Sequence, residues 1–318
     1  MIGSVRAKFG RLQIFSGFST FSSSCAVHYQ QLCKVIGDNS VIIGDDIGKY
    51  QVDWLKGFSG GDFVCLPKTA SDVSKILTYC HEHSISVVPQ GGNTGLVGGA
   101  VGRNTANDMI LSVERLNKII ELDLNSSVLV CEAGCVLQDL EDHVNKHGFS
   151  IPLDLGAKGS CMIGGNVSTN AGGLRVLRYG SMHHNVLGLE VVTPSGDILD
   201  MLRKLRKDNS GYDLKHMFIG AEGTLGVITK VAIQLVPKPT SVHTILLHVR
   251  SFTEVMTILS IARQYLGSFL FSLCVFNMLK CYDIHVFTLG ELLSAFEFMD
   301  CSCLSALIST NPDIVNKY

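Results

Sequence analysis

Two apolar spacings run along the chain from Phe63. Phe63-Val64-Cys65-Leu66 is a short continuous apolar run stopped by Pro67, the pattern of a buried strand. Val73, Ile76, Leu77 and Cys80 then recur at intervals of three and four, which places them on one helix face. Thr69 and Ser71 offer hydroxyls to cap the start of that helix. Residues 85–88, 109–113 and 128–130 are further strand-like runs. Val136, Leu137, Leu140 and Val144 return to helical spacing, and Gly148 is placed to end that helix. Residues 189–192 and 198–200 flank Thr193-Pro194-Ser195-Gly196-Asp197, which predicts a hairpin. A long strand over 227–236 closes at Pro237 and Pro239, where a domain boundary is expected. Residues 242–249 and a helical run from Phe252 to Leu266 open the next unit. Strands and helices are mixed, so the expected fold class is α+β.

Between the strand at 85–88 and the next lies Pro89-Gln90-Gly91-Gly92-Asn93-Thr94-Gly95-Leu96-Val97-Gly98-Gly99, with five glycines in its last nine residues. Successive N–H groups in such a loop converge into an anion-binding nest, and a phosphate or pyrophosphate is the natural guest. A ligand-free flexible turn is the alternative. The Walker pattern is excluded, because Gly99 is followed by Ala100 and Val101 rather than Lys-Ser/Thr. The Gly-x-Gly-x-x-Gly spacing is also missing, so this is a phosphate-type loop of a third kind. A second bare stretch is Gly164-Gly165-Asn166-Val167-Ser168-Thr169-Asn170-Ala171-Gly172-Gly173. It suits either a wall against a flat ligand or a helix start packed on another backbone. Gly220-Ala221-Glu222-Gly223-Thr224-Leu225-Gly226 is a third glycine-rich approach to a strand.

Composition narrows the class. The 318 residues are 46% hydrophobic and 17% charged, enough for a sizeable core. A net charge of −2 argues against a broad nucleic-acid surface, which needs a basic excess. The eleven cysteines include no pair with zinc-site spacing and read as small buried hydrophobes in a reducing compartment. His81 and His83 read as solvated residues near a helix end. Residues 1–37 contain no acid and carry Arg6, Lys8, Arg11 and Lys34 among many serines, the composition of a mitochondrial presequence. The matrix is therefore the expected location. No run is long enough to span a membrane.

Three blocks in this order, 89–99, 153–173 and 205–228, resemble the FAD-dependent D-2-hydroxyglutarate dehydrogenases. These are mitochondrial flavoenzymes of the vanillyl-alcohol-oxidase type with a PCMH-type FAD-binding domain. The resemblance runs from about Phe63 to Pro239. It implies a PCMH-type domain over 50–240 built of two α+β subdomains with FAD between them, then a truncated substrate (cap) domain over 241–318. It also implies cofactor-binding roles for Pro89, Gln90, Gly91, Gly92, Asn93, Thr94, Gly95 and Leu96, the first loop holding the pyrophosphate through N–H groups. Pro152 is a further cofactor-binding position; Gly164, Gly165, Ser168, Asn170 and Gly172 belong with the flavin and ribityl chain, and Glu222, Gly223 and Ile228 with the ribose and adenine end. The implied reaction is hydride transfer from C2 of D-2-hydroxyglutarate to flavin N5, giving 2-oxoglutarate, with electrons passed to an electron-transfer-flavoprotein-like carrier. D-lactate and glycolate dehydrogenases share the glycine loop, so a D-lactate/glycolate-type activity stays open, as does a catalytically silent flavin-binding isoform. Residues 87–101 hold no histidine or cysteine for a covalent tether, so FAD is expected to be non-covalent.

The resemblance further implies basic residues for the two substrate carboxylates and a late histidine/glutamate cluster for zinc, whose ligands are absent here. No catalytic residue is assigned; His183 and His184 are candidates beside an ordinary structural reading. Leu266-Gly267 recurs as Leu289-Gly290, and joining across the gap restores the resemblance, so residues 268–290 read as an insertion. As written, the chain is expected not to turn over hydroxyglutarate, and the apolar insert to lack a surface to pack against.

Overall fold

The computed structural model describes residues 23–103, 108–240, 242, 244–266, 270–276 and 292–310. Two compact units emerge: the described part of Met1–Arg115 with Val192–Ile198, and Leu116–Val191 with the described part of Leu199–Tyr318. Residues beyond 240 group with the second unit, so no compact unit begins at the expected boundary.

In the first unit, strands β1 (Val41–Ile42), β2 (Phe63–Cys65), β3 (Ser86–Gln90) and β4 (Asp108–Ser112) form a sheet of order β1-β2-β4-β3. The β2–β4 and β3–β4 pairs are parallel, with Val88 opposite Ile110 and Gln90 opposite Ser112. Helix α1 (Ser23–Ile36) covers the latter part of the expected presequence; its Leu32 is fully buried, and His28 Nδ1 lies 2.9 Å from the Tyr79 hydroxyl. A short helix, α2 (Gly48–Gln51), precedes β2. Helix α3 (Ala70–Glu82) buries Val73, Ile76, Leu77 and Cys80, the face that their spacing predicts. Thr69, not Ser71, is its cap. The Thr69 hydroxyl accepts the Asp72 N–H, and the Asp72 carboxylate accepts the Thr69 N–H in return. The turn between 192 and 198 belongs to this unit, where Ser74 donates to the Gly196 carbonyl at 2.6 Å. Gly196 has φ +94°, and a Cβ there would lie 2.0 Å from Thr78 Oγ1, so only glycine fits.

The second unit is built on strands β5 (Ile119–Asp123), β6 (Val128–Glu132), β8 (Val186–Val192), β9 (Ile198–Met201) and β10 (Val227–Gln234), in the order β5-β6-β10-β8-β9. A separate pair joins β7 (Phe149–Ser150) to β11 (Val236–Pro237). The strand expected over 227–236 thus divides at Leu235. The predicted hairpin is the β8–β9 pair. Helix α4 (Leu137–Asn145) buries Leu137, Leu140 and Val144, and Gly148 turns the chain with φ +80°. Between β7 and β8 come three short helices, α5 (Ile163–Ser168), α6 (Val176–Tyr179) and α7 (Met182–Asn185). Helix α8 (Lys215–Phe218) precedes β10. Glu190 of β8 is buried with both oxygens satisfied: Oε1 accepts the Thr229 hydroxyl and Oε2 the Lys230 ammonium, each at 2.8 Å.

Further on, β12 (Thr244–His248), β13 (Leu270–Phe276) and β14 (Leu292–Met299) form a parallel sheet of order β12-β13-β14. Helices α9 (Phe252–Leu266) and α10 (Cys301–Thr310) accompany it. Strand β13 lies within the stretch read as an insertion and is the central strand, so its backbone is paired on both sides. The cysteines at 33, 65, 80, 131, 135 and 161 are buried and free, as their composition suggested.

Candidate functional site

The glycine loop of the first unit starts where β3 ends. Gln90 is buried, and its amide donates to the Tyr50 carbonyl at 2.8 Å and to the Ala100 carbonyl at 2.7 Å. One side chain therefore ties the first residue of the loop to its far end and to α2. Asn93 takes φ 50° and donates from Nδ2 to the Val52 carbonyl at 2.7 Å. Its Oδ1 is buried without a partner. Gly98 has φ +72°, and a Cβ there would lie 2.6 Å from the Phe58 ring. Gly92 is not among the left-handed residues, so its role is not one of φ.

Among the described residues, the N–H groups of Gly91, Gly92, Asn93, Thr94 and Gly95 donate to no protein acceptor. No atom lies within 4 Å of a Cβ built on Gly95. Five successive unspent donors, pinned at both ends, are what an anion-binding nest requires. Leu96 and Val97, next in line, are exposed.

The bare stretch of the second unit divides into two kinds of glycine. A Cβ on Gly164 would meet the Ala133 Cβ at 2.6 Å, and its N–H already donates to the Ala133 carbonyl at 2.8 Å. Gly172 faces Val176 in the same way, at 2.7 Å. Those two positions are bare because another part of the chain lies against them. Gly165 differs, with nothing within 4 Å of its Cβ position. Beside it Asn166 is 6% exposed and its Oδ1 has no partner. An unpaired buried acceptor costs about 1–3 kcal/mol unless something donates to it. An open glycine beside a waiting acceptor fits a flat, hydrogen-bonding ligand.

Other expected site residues meet in this unit. The Glu222 N–H donates to the Ser168 carbonyl at 2.8 Å, and Gly220 comes against Asn170. Asn170, Glu222 and Gly223 take positive φ, at 50°, 52° and 77°. Asn170 Oδ1 accepts the His183 N–H at 3.0 Å. Pro152 is buried, and the two residues before it, Ser150 and Ile151, accept hydrogen bonds from Arg175. Ile228 is a buried residue of β10. Asn166 was not among the expected residues; an amide between two glycine pairs was the signal available for it. His183 lies with its ring against His216, whose part the sequence did not suggest. Burial and the two neighbouring histidines push the His183 pKa below its ordinary value, desolvation being the larger cause.

Free N–H groups, an open glycine and unpartnered buried amides are what an FAD site asks of a chain, and the residues present fit that group. Residues 61–202 match the family described as an FAD binding domain. Alkyldihydroxyacetonephosphate synthase shares the fold, at a TM-score of 0.60 and 21% identity over 68% of this chain and 41% of that one. The class is therefore an FAD-binding protein with a PCMH-type domain of α+β build. Within it, the D-2-hydroxyglutarate dehydrogenase of Arabidopsis thaliana is 44% identical over 92% of this chain and 48% of its own length. That of Bos taurus is 47% identical over 85% of this chain and 45% of its own. Over most of its length the chain is similar to D-2-hydroxyglutarate dehydrogenases. It spans about half the length of these relatives. Among the described residues no helix is long and apolar enough to cross a membrane.

Proposed function

We propose that this chain binds one FAD non-covalently and supplies the cofactor part of a D-2-hydroxyglutarate dehydrogenase. The observation that carries the reading is the run of five unspent N–H groups from Gly91 to Gly95 inside the matched FAD-binding stretch. These donors hold the pyrophosphate, with Gln90 fixing the loop's span. Gly165 gives the flavin a flat approach, and Asn166 Oδ1 accepts a donor from it. Within the second unit, Ser168, Asn170, Glu222 and Gly223 are the further residues offered to a flavin cofactor. FAD, when bound, supplies the two-electron acceptor that oxidation of a 2-hydroxy acid needs. The chain's own part is to bind, orient and shield it. Electrons then pass to a carrier protein.

A mitochondrial location follows the names of the relatives and the acid-free, basic N-terminal composition. Because Leu32 is fully buried against the first unit, we place the end of the leader before it. Substrate identity is tested by anaerobic bleaching of bound flavin with D-2-hydroxyglutarate, D-lactate and glycolate side by side. Preferential bleaching by D-2-hydroxyglutarate supports the reading; faster bleaching by D-lactate or glycolate rejects the substrate assignment.

A further inference from the structure

Strand β6 runs into a tight turn with a thiol on either side of it. Cys131, near the end of β6, is fully buried; Cys135, just past the turn, is 4% exposed. The Cys135 N–H closes the turn on the Glu132 carbonyl at 3.2 Å. The Ala133 N–H donates to the Thr229 carbonyl at 2.9 Å and the Gly134 N–H to the Leu116 carbonyl at 2.7 Å, so the turn is held from two sides. Across it the Cys131 thiol donates a hydrogen bond to the Cys135 sulfur.

That bond sets the pair apart from the other buried cysteines. Burial pushes the thiols of Cys33, Cys65, Cys80 and Cys161 up. At Cys135 the bond from Cys131 outweighs burial and brings the thiol below its ordinary value, and the donor Cys131 is pushed up in exchange. Glu132 and Asp139 oppose negative charge on Cys135, and the Glu132 carboxylate is engaged by the Lys118 N–H at 2.9 Å. A thiolate is the attacking form of cysteine, and redox-sensitive cysteines are often poised beside a resolving one. Cys135 is also the member of the pair with an edge open to solvent.

The same turn carries the start of α5. Its Ala133 carbonyl accepts the Gly164 N–H at 2.8 Å, and its Cys135 carbonyl accepts the Ile163 N–H at 3.0 Å. Gly164 packs so closely on Ala133 that an added Cβ would lie 2.6 Å from the Ala133 Cβ. A shift in the turn therefore reaches Gly165 and Asn166, the residues offered above to the flavin.

We propose that Cys131 and Cys135 are an oxidisable dithiol, closed to a disulfide by hydrogen peroxide, and that closure weakens the hold of α5 on FAD. The second half rests on the FAD reading above. The Cys135 thiolate attacks one peroxide oxygen and the O–O bond breaks. Cys135 becomes a sulfenic acid, and the released hydroxide takes up the proton that Cys135 had shed and leaves as water. The Cys131 sulfur then attacks the Cys135 sulfur. The S–O bond breaks, the S–S bond forms, and the Cys131 proton leaves with the hydroxide as a second water. The two sulfurs lose two electrons and the peroxide gains them. Closure brings the sulfurs from hydrogen-bond contact to about 2.05 Å, so the turn around Ala133 must tighten.

The test is peptide mass spectrometry of the full chain after graded hydrogen peroxide, with free thiols alkylated on unfolding. Cleavage after Lys118 and Lys146 gives a fragment that contains Cys131, Cys135 and no other cysteine. It is expected to escape alkylation and to lose two hydrogens before Cys33, Cys65, Cys80 or Cys161 react, and to regain them with a dithiol reductant. A fragment that is still alkylated on both thiols at doses that oxidise the exposed Cys303, or that gains oxygen without an internal disulfide, overturns the proposal. In Cys131→Ser, Cys135 should stop at the sulfenic acid and be trapped by dimedone; no adduct there overturns Cys135 as the attacking thiol. FAD titration of the oxidised wild-type chain by fluorescence quenching should read an affinity at least about tenfold weaker, restored by the reductant. In Cys135→Ala, peroxide should leave the affinity unchanged. A disulfide that forms with no change in affinity overturns the control of α5. A chain that binds no FAD in either state overturns the cofactor reading and that control with it, the disulfide itself being read separately by mass.

Discussion

The two adjacent glycines of α5 separate packing from cofactor binding. At Gly164 an added methyl would sit 2.6 Å from the Ala133 Cβ and 3.0 Å from the Ala133 carbonyl oxygen. Carbon atoms rest at about 3.5–4.0 Å, so the strand or the helix must shift by about 1 Å. Overpacking of this kind costs about 1–3 kcal/mol. For a domain of this size that lowers the melting temperature by about 2–4 °C per kcal/mol, with or without FAD. At Gly165 the added methyl meets no protein atom within 4 Å. Replacing a helical glycine with alanine there stabilises the apo chain by about 0.5–1 kcal/mol through the unfolded state's lost freedom. The same methyl stands where the flavin is assigned, and a tenfold weaker FAD affinity corresponds to about 1.4 kcal/mol. The assay is thermal unfolding of Gly164→Ala and Gly165→Ala, each with and without FAD, together with FAD titration by fluorescence quenching. Gly164→Ala should melt early in both conditions. Gly165→Ala should melt slightly late without FAD and bind FAD at least about tenfold more weakly. A Gly165→Ala chain that binds FAD as tightly as wild type refutes the assignment of this wall.

Other outcomes follow from single contacts. Asn93→Ala keeps φ 50° without the Nδ2 bond to Val52 and should cost about 1–2 kcal/mol in denaturant unfolding; Asn93→Gly should cost less. Glu190→Ala strips the Thr229 hydroxyl and the Lys230 ammonium of their buried acceptor and should cost about 2–3 kcal/mol by the same measurement. Asp208 is held down to about 2 by the Arg203 guanidinium and by Ser210, below its ordinary 3.8. Its contribution is thus complete above 3.8 and is lost as pH falls toward 2; Arg203→Gln should return the titration, read by NMR, toward 3.8. Acid precipitation should release all flavin to the supernatant, and a yellow pellet would disprove the non-covalent assignment.

Periodicity placed α3 and α4 well because their buried faces, Val73 to Cys80 and Leu137 to Val144, are strictly helical in spacing. It missed β5, whose Ile119 and Ile120 are exposed at a sheet edge and leave no buried run to read. The glycine loop was legible as a stretch rich in free backbone donors, and among the described residues the N–H groups of Gly91 to Gly95 do lack protein acceptors. The second bare stretch was ambiguous, and the structure explains why: Gly164 and Gly172 answer to packing and Gly165 to open space. One-letter spacing cannot tell these apart, because the partners Ala133 and Val176 are set by tertiary contact. The His183–His216 meeting was hidden for the same reason, the two residues being brought together by α7 and α8 from 33 positions apart. The buried Leu32 of α1 likewise lies in a stretch whose composition alone suggested a leader.

The most direct measurement is the visible absorption spectrum of the purified chain before and after titration with FAD, paired with the flavin-to-protein ratio after gel filtration. The account predicts a yellow protein carrying one FAD per chain, with the ratio falling sharply in Gly92→Val, whose side chain blocks the phosphate nest. A well-folded chain that stays colourless and takes up no added FAD would contradict it.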